Sequence, residues 1–423
     1  MTRKRGTTRL SKLLQSRCAS YDSDMIEIYR IIRHSKSTIR ISRHRKGNKH
    51  RDRLWGEARI HELSDKHFTR MFTLNRVAFN DLLQKISPLL PGQDVDEATR
   101  SSGSPITNYC RLAMTLRWLA GGHYLDICQL YQVDYSTFYA EDGIIWPTIH
   151  AIYKVIKLAY PTTDPNDPDY NIEELQRVAE DFKTFSHGFF TSLAGAIDGL
   201  VVRTRAPYRS EAKNIVEYRN RKGCFGVLCL GISDIRGKFL SFSCNWTGST
   251  HDSYAWMSST VYKKFHEFKV RGYHLVGDEA FSNTNILLSP WSGRGIGAWK
   301  DSFNYKLSSC RQCIERAFGM LVKRFGILQR RYMFHKRRWA LVSVVCAKLH
   351  NICIDNNVPH LPRMYEDIGL DDNAEPLFND VDDDENLLER PRARPDDLRT
   401  RLTKTLEDQK IRRPQFANCN SRA

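Results

Sequence analysis

The order of the apolar segments between residues 194 and 355 constrains the fold of this chain most strongly. Four β-like runs come first, at Ala194–Val202, Phe225–Ile232, Lys238–Asn245 and Tyr273–Val276. The second and third runs are separated by five residues ending in Gly237, which predicts a hairpin. A helical pattern follows from Ser308 to Asp355. Strands followed by helix, with a helical region in front, predict an α/β architecture.

The segment before residue 160 shows helical periodicity. Apolar residues recur at helical spacing between Phe68 and Ile86, and a second amphipathic pattern covers Ile106–Leu119. A short run at Tyr124–Tyr131 and a new start at Ser136, whose side chain can cap a helix, outline a helix-turn-helix. Any small helical bundle gives the same outline, so DNA reading and simple packing both stay open.

Two side chains separate these alternatives. If Ser136 opens a recognition helix, Thr137 and Tyr139 are the best candidates to reach base edges in a major groove. Alternatively, both residues pack against Trp118 or Trp146 and only stabilise the bundle.

The charge of the chain predicts a polyanionic partner. There are 65 Lys and Arg residues against 48 Asp and Glu, a formal charge of +17, and each cation docked on a phosphate releases condensed counterions. Residues 1–66 are predicted to form a basic flexible arm, with Arg43, Arg45 and Lys46 as candidate DNA contacts. Such runs also serve as nuclear-import signals or as solvated charge. A soluble basic protein without a nucleic-acid role is the alternative.

Other features exclude whole classes of protein. Without a run of about 18 to 20 apolar residues, the sequence predicts neither a membrane span nor a membrane partner, and the N-terminus does not resemble a secretory signal. Eleven scattered cysteines suit a reducing compartment. Two groups, Cys310 with Cys313 and Cys346 with His350 and Cys353, lie within apolar helical patterns, which favours buried thiols over a zinc site.

Composition divides the chain into four segments. After the arm at 1–66, residues 67–160 form the helical, helix-turn-helix-like region. The Pro-, Asp- and Asn-rich turn Pro161–Asp169 opens the α/β domain, predicted to span 161–358. Between Tyr365 and Glu389 there are eleven acidic residues and no Lys or Arg. Residues 359–423 are therefore predicted to be an acidic and then basic disordered tail.

Three carboxylates stand where a metal-dependent phosphodiesterase needs them. Asp198 interrupts one apolar strand, Asp278 ends another, and Glu315 flanks the apolar stripe of a helix. A buried isolated charge is costly, and a shared divalent cation removes that cost. Hard oxygen ligands select Mg²⁺ or Mn²⁺, and two such ions stabilise the attacking and leaving oxygens at phosphorus. Taken singly, each acid is also interpretable as an ordinary salt-bridged residue.

Short motifs follow one another through the same region. They are Ala196-Ile-Asp198-Gly, Tyr218-Arg-Asn-Arg-Lys-Gly223 with Asp234-Ile-Arg-Gly237, Asn245-Trp246-Thr-Gly-Ser249-Thr-His251-Asp252, Gly277-Asp278-Glu-Ala-Phe281, and Phe303-Asn304-Tyr305 with Arg311-Gln-Cys-Ile-Glu315-Arg-Ala-Phe318-Gly319, closed by Leu349-His350-Asn351. Together, in this order, they resemble the nuclease domain of the PIF/Harbinger transposase superfamily.

The resemblance implies a fold and a set of site residues. It implies an RNase H-like domain in which Asp198, Asp278 and Glu315 are the catalytic metal ligands. His251 and Asp252 are then expected behind those ligands or in contact with DNA, although a simple hydrogen-bonded turn is an alternative for this pair. Two residues of the Asn-Arg-Lys-Gly turn, Arg221 and Lys222, are candidate DNA contacts.

The resemblance also implies an activity and partners. The leading hypothesis is a nuclear transposase that cuts and joins DNA with Mg²⁺ or Mn²⁺, aided by a separate Myb-like protein. A second copy of the chain is a further candidate partner. Two other hypotheses stay open: a domesticated, non-cutting DNA- or chromatin-binding protein, and an RNase H-like nuclease without a mobile-element substrate.

Overall fold

The computed structural model describes residues 53–91, 106–293, 295–359 and 397–414. The candidate contacts Arg43, Arg45 and Lys46 lie outside these ranges. The helices before the sheet are α1 (Arg53–Glu62), α2 (Asp65–Phe72), α3 (Arg76–Ile86), α4 (Asn108–Leu119), α5 (Tyr124–Leu130), α6 (Tyr135–Tyr139) and α7 (Ile145–Val155). Because α1 begins at Arg53 and α2 at Asp65, the expectation of a flexible arm reaching residue 66 is wrong for its last part.

Capping residues and aromatic packing explain why these short helices form. The side chain of Asn75 accepts a hydrogen bond from Ala78 N at 2.8 Å and so caps α3. The rings of Phe68 and Phe79 are buried and lie 5.3 Å apart, edge to face, which joins α2 to α3. These buried rings belong to the hydrophobic core that continues from the helical region into the sheet domain.

The helix-turn-helix outline is present but differs in detail. Asp134 rather than Ser136 caps α6, because the Asp134 carboxylate accepts from Ser136 N at 2.8 Å while its own backbone is extended. The prediction of Ser136 as the cap is therefore wrong. The helix that would read DNA has only five residues.

The two candidate base-reading side chains differ in their surroundings. Thr137 is exposed, whereas the ring of Tyr139 lies 6.1 Å from that of Trp118 and 6.4 Å from that of Trp146. Burial raises the pKa of the Tyr139 hydroxyl above its ordinary value. Tyr139 thus packs in the bundle, as the second alternative expected.

The remaining elements build a mixed sheet with helices around it. They are α8 (Ile172–Phe185), β1 (Leu193–Arg203), β2 (Gly226–Ser233), β3 (Phe239–Thr247), α9 (Asp252–Met257), α10 (Thr260–His266), β4 (His274–Val276), β5 (Leu287–Leu288), α11 (Ala298–Arg324), α12 (Trp339–Asp355) and α13 (Leu398–Asp408). The strand order is β3-β2-β1-β4-β5. β2 is antiparallel to β1 and β3, while β4 is parallel to β1 and β5.

Burial of the central strands fixes where the helices pack. Every residue of β2 is buried. At Gly231 an added Cβ would come within 2.8 Å of the ring of Phe318, so a glycine is needed for α11 to reach the sheet. Helices α8 and α11 contact β1, and α12 contacts β3. The predicted α/β class is confirmed, and the arrangement is consistent with an RNase H-like domain.

The segment after residue 396 corrects a second expectation. Leu398, Leu402 and Leu406 recur every fourth residue in α13, and Leu406 is fully buried. Asp397 caps this helix through Thr400 N at 2.7 Å and also accepts from Asn283 Nδ2 at 3.0 Å. The prediction of disorder is wrong for residues 397–414, because this apolar stripe docks on the domain.

Two further features of the described residues bear on class. The thiols of Cys310, Cys313, Cys346 and Cys353 are buried in the core, as expected. Among the helices of the described ranges, none combines the length and apolar character needed to cross a bilayer.

Candidate active site

The register of the parallel strands aligns the two aspartates. Ala196 in β1 pairs with Val276 in β4. Two residues beyond this pair stand Asp198, within β1, and Asp278, just after β4 ends. In parallel strands, residues at the same level point to the same face. The fold therefore brings these two carboxylates together, as the sequence predicts.

The charge of Asp198 is unfavourable where it stands. Burial and then the Asp278 charge raise its pKa from 3.8 to about 7, and Asp252 adds to the effect. The Arg311 guanidinium and the Gly199 N–H, which donates to Asp198 Oδ1 at 2.8 Å, oppose that rise. The carboxylate of Asp278 accepts from Ala280 N at 3.0 Å. Near neutral pH the site therefore shares a proton or needs a cation.

Asp252 belongs to the same group of acids. It is the first residue of α9, and its carboxylate lies against Gly199, where an added Cβ would come within 2.7 Å of its carboxyl carbon. Burial and then the Asp278 charge raise the pKa of Asp252 to about 6, against the influence of Arg221. The resemblance expects Asp252 behind the metal ligands or in contact with DNA, and its position against Gly199 arises from the turn between β3 and α9.

Glu315 has a different neighbour. It lies on α11 with its side chain 52% exposed, and it forms an ion pair with Arg311 one turn earlier. The Arg311 charge also lowers the pKa of Asp198, against the effect of burial. Glu315 is thus linked to the aspartates through Arg311.

The chemistry of the acids suits a divalent cation. Part-buried carboxylates that repel one another are the oxygen donors that hard ions prefer. As they stand, the described residues contain no group of three His, Cys, Asp or Glu side chains close enough to hold an ion. The donor types fit a metal, with Asp198 and Asp278 aligned and Glu315 turned towards Arg311.

The Asn-Arg-Lys-Gly turn brings cations to the rim of the acids. Arg221 Nη2 contacts the ring of His251, 2.9 Å from Nδ1, and both residues are exposed. Lys222 is exposed on the same turn, which Asn220 closes by accepting from Cys224 N at 2.9 Å. The predicted contacts Arg221, Lys222 and His251 therefore lie beside Asp252.

Comparison with known proteins assigns this region to a family. Residues 197–351 match the family model described as a DDE superfamily endonuclease.

Residues 197–351 are thus similar to DDE superfamily endonucleases, and we call them the DDE domain.

Individual relatives agree with that assignment. The chain is 26% identical over 167 residues to "Putative nuclease HARBI1" of Homo sapiens and 27% identical over 167 residues to the Mus musculus protein of the same name. Each match covers 39% of this chain and 46% of the relative, so the chain spans about half the length of these relatives. "Protein ALP1-like" of Arabidopsis thaliana is 24% identical over 362 residues, with 81% of each chain covered. No solved structure matches the chain.

Several motifs of the DDE domain make structural contacts and lie away from the acids. Asp234 is fully buried and accepts from Arg236 N and Lys238 N at 3.0 and 2.9 Å. Asn351, on α12, binds both backbone groups of Phe239, accepting from its N at 2.9 Å and donating to its O at 2.7 Å. The ring of His350 contacts Gly237 O at 2.9 Å. These residues fasten α12 to the β2–β3 hairpin.

Proposed function

We propose that the chain is a metal-dependent DNA endonuclease of the transposase type, with Asp198, Asp278 and Glu315 as the catalytic carboxylates. Asp252 contributes a fourth negative charge to the same site. The domain belongs to a nuclease superfamily whose members generally use divalent metal ions. Mg²⁺, or Mn²⁺ in its place, is the cation that such oxygen donors select.

One observation carries this proposal: three part-buried acids, Asp198, Asp278 and Asp252, repel one another electrostatically. A carboxylate whose pKa is raised to about 7 by burial and by Asp278 is a poor structural choice. Perturbation of this kind by burial and like charge gathers at functional sites. The alternative of ordinary salt-bridged acids fits Glu315 and Arg311, but it leaves the repulsion between Asp198, Asp278 and Asp252 unexplained.

The residues divide the work by position. Asp198 and Asp278 present oxygens at the same level of neighbouring strands, and the N–H groups of Gly199 and Ala280 orient them. Arg221 and Lys222, at the rim, supply positive charge for the phosphates on either side of the scissile one. Bound divalent cations supply a more acidic water and offset charge on the leaving oxygen.

A second candidate function rests on the Arg311–Glu315 ion pair. If this pair persists when DNA is bound, the third carboxylate is withheld and the chain is a domesticated, non-cutting DNA-binding protein. Cutting requires Glu315 to turn from Arg311 towards the aspartates. In both cases DNA is the proposed partner and the nucleus the proposed location. A Myb-like protein and a second copy of this chain are the proposed protein partners.

The decisive experiment measures cleavage of supercoiled plasmid DNA by the purified chain. With Mg²⁺ or Mn²⁺ we expect nicked and linear products, and with a chelator we expect none. Glu315→Gln should abolish the products. A matched control is Glu180→Gln, an exposed helical carboxylate paired with Lys183 at 2.9 Å, which should cut normally. Binding of DNA by the wild type without any metal-dependent cutting would favour the non-cutting alternative.

A further inference from the structure

A second surface of the molecule is built from a basic segment that the acidic site does not use. In the run Arg330-Arg-Tyr-Met-Phe-His-Lys-Arg-Arg338, six of nine residues are Arg, Lys or His. The run connects α11 to α12 and lies beside the end of β1.

Backbone pairing holds this segment in place. Tyr332 N donates to Arg203 O at 3.0 Å, and Arg205 N donates to Tyr332 O at 2.9 Å. The Tyr332 side chain is buried, with its hydroxyl 3.1 Å from Ser343 Oγ. The indole of Trp339 donates to Phe334 O at 3.0 Å. The segment is therefore a fixed extension of the sheet rather than a loose loop.

Some of its cations are used internally. The Arg338 guanidinium stacks 3.5 Å above the centre of the Trp146 ring and pairs with Glu141. Lys336 Nζ donates to Glu211 O at 3.1 Å. These contacts join the segment to the helical region and to the loop after β1.

Other cations have no such use. Arg203, Arg330 and Arg331 are exposed, and no carboxylate in the described part of the chain pairs with them. Two large side chains beside them are also turned outwards: Met333 is 70% exposed and Tyr208 64% exposed. We define the β1-end surface as these five residues. A fixed group of like charges repels itself, and phosphates relieve that repulsion by displacing counterions.

We propose that the β1-end surface binds the sugar-phosphate backbone of duplex DNA beside the cutting site. The distance follows from the strand that carries both features. Asp198 lies five residues before the end of β1, so the backbone there is about 17 Å away at about 3.3 Å per residue, which equals about five base pairs of B-DNA. The position relative to the cut rests on the proposed function, whereas DNA binding by the surface can be measured separately.

The test compares three double variants of the full chain by fluorescence anisotropy on a random-sequence duplex, in chelator so that nothing is cut. Arg330→Gln with Arg331→Gln should weaken binding by up to about 30-fold at 0.15 M salt and reduce the slope of log affinity against log salt by about 1.8, because two phosphate contacts are lost. Lys at both positions should restore most of the slope. The control is Arg401→Gln with Lys404→Gln, two exposed cations of α13, which should change the slope far less.

Each result has a defined meaning. An unchanged slope in the Gln pair, with an unchanged melting temperature, overturns the proposal. An equal loss in the α13 control also overturns it, since net charge alone would then account for the binding. To test position, a duplex ending fewer than about five base pairs from a defined nick should lose sensitivity to the Gln pair. Absence of cutting by the wild type would overturn the proposed nuclease and leave the binding result standing.

Discussion

Asp234 and Asp198 are two aspartates of the DDE domain with opposite electrostatic surroundings. Around Asp234, every charge has a partner: two backbone N–H groups and Arg177, 3.2 Å away. Asp198 is part-buried and repelled by Asp278 and Asp252, with Arg311 as an opposing charge, and its pKa rises to about 7. Both aspartates lie in the motifs that resemble the PIF/Harbinger transposase superfamily. A satisfied buried acid stabilises the fold, whereas a frustrated one points to something that arrives from outside.

The largest effect should come from removing the frustrated acid. Asp198→Asn keeps the shape but removes a charged oxygen, so plasmid cleavage should fall by at least about 10³-fold. The melting temperature should not fall, because the repulsion from Asp278 is removed as well. A variant that cuts at the wild-type rate would take Asp198 out of the catalytic set and erase the contrast with Asp234.

The satisfied acid should show the reverse. Asp234→Ala leaves two backbone N–H groups and part of Arg177 unpaired, at a cost of about 3 kcal/mol in the free energy of unfolding. The matched control is Asp181→Ala, which removes a partly exposed acid from the same arginine, 2.7 Å away. That loss should stay below about 1 kcal/mol. Equal losses in urea unfolding would contradict the difference in burial between the two acids.

The smallest effect is a pH-dependent difference in stability. The folded pKa of Asp198 is raised from 3.8 to about 7. The cost to folding stability of ionising this carboxyl is therefore absent below about pH 4, grows between pH 4 and pH 7, and is complete above pH 7. In chelator, Asp198→Asn should be more stable than the wild type by about 2 kcal/mol at pH 8, after allowance for partial access of water, and equal to it at pH 4. Added Mg²⁺ should narrow the gap. If the melting temperatures of the wild type and Asp198→Asn differed by the same amount at every pH from 4 to 8, Asp198 would not have a raised pKa.

The sequence predicts the strands of the domain better than the arrangement of the acidic side chains. Period and turn residues located β1 to β4 within about two residues, because each strand has a long apolar run and the hairpin ends in Gly237. β5 was missed because it has two residues, Leu287 and Leu288. α13 was missed because its leucine stripe follows a long acidic segment.

The candidate site was predictable in identity but not in arrangement. The alignment of Asp198, within β1, with Asp278, just after β4, follows from the register of the two parallel strands. The approach of Asp252 to Gly199, and the ion pair between Arg311 and Glu315, depend on how the β3–α9 turn and α11 pack in three dimensions. Side-chain pairs of this kind leave no period or spacing in the sequence. The DNA-reading role of Thr137 stays a prediction.

The docked helix α13 has a consequence for how the protein is made. Trp291 lies in the loop after β5. Its indole N–H donates to Thr403 Oγ1 of α13 at 3.0 Å, and the Arg399 guanidinium of α13 lies 3.8 Å from the centre of its ring. Asn283, five residues after Asp278, is held by Asp397. A ribosome reaches these partners more than a hundred codons after the loop they cover. A growing chain therefore carries the loop behind Asp278 uncovered until α13 emerges, and a message cut short before codon 397 encodes a domain in which that loop never closes.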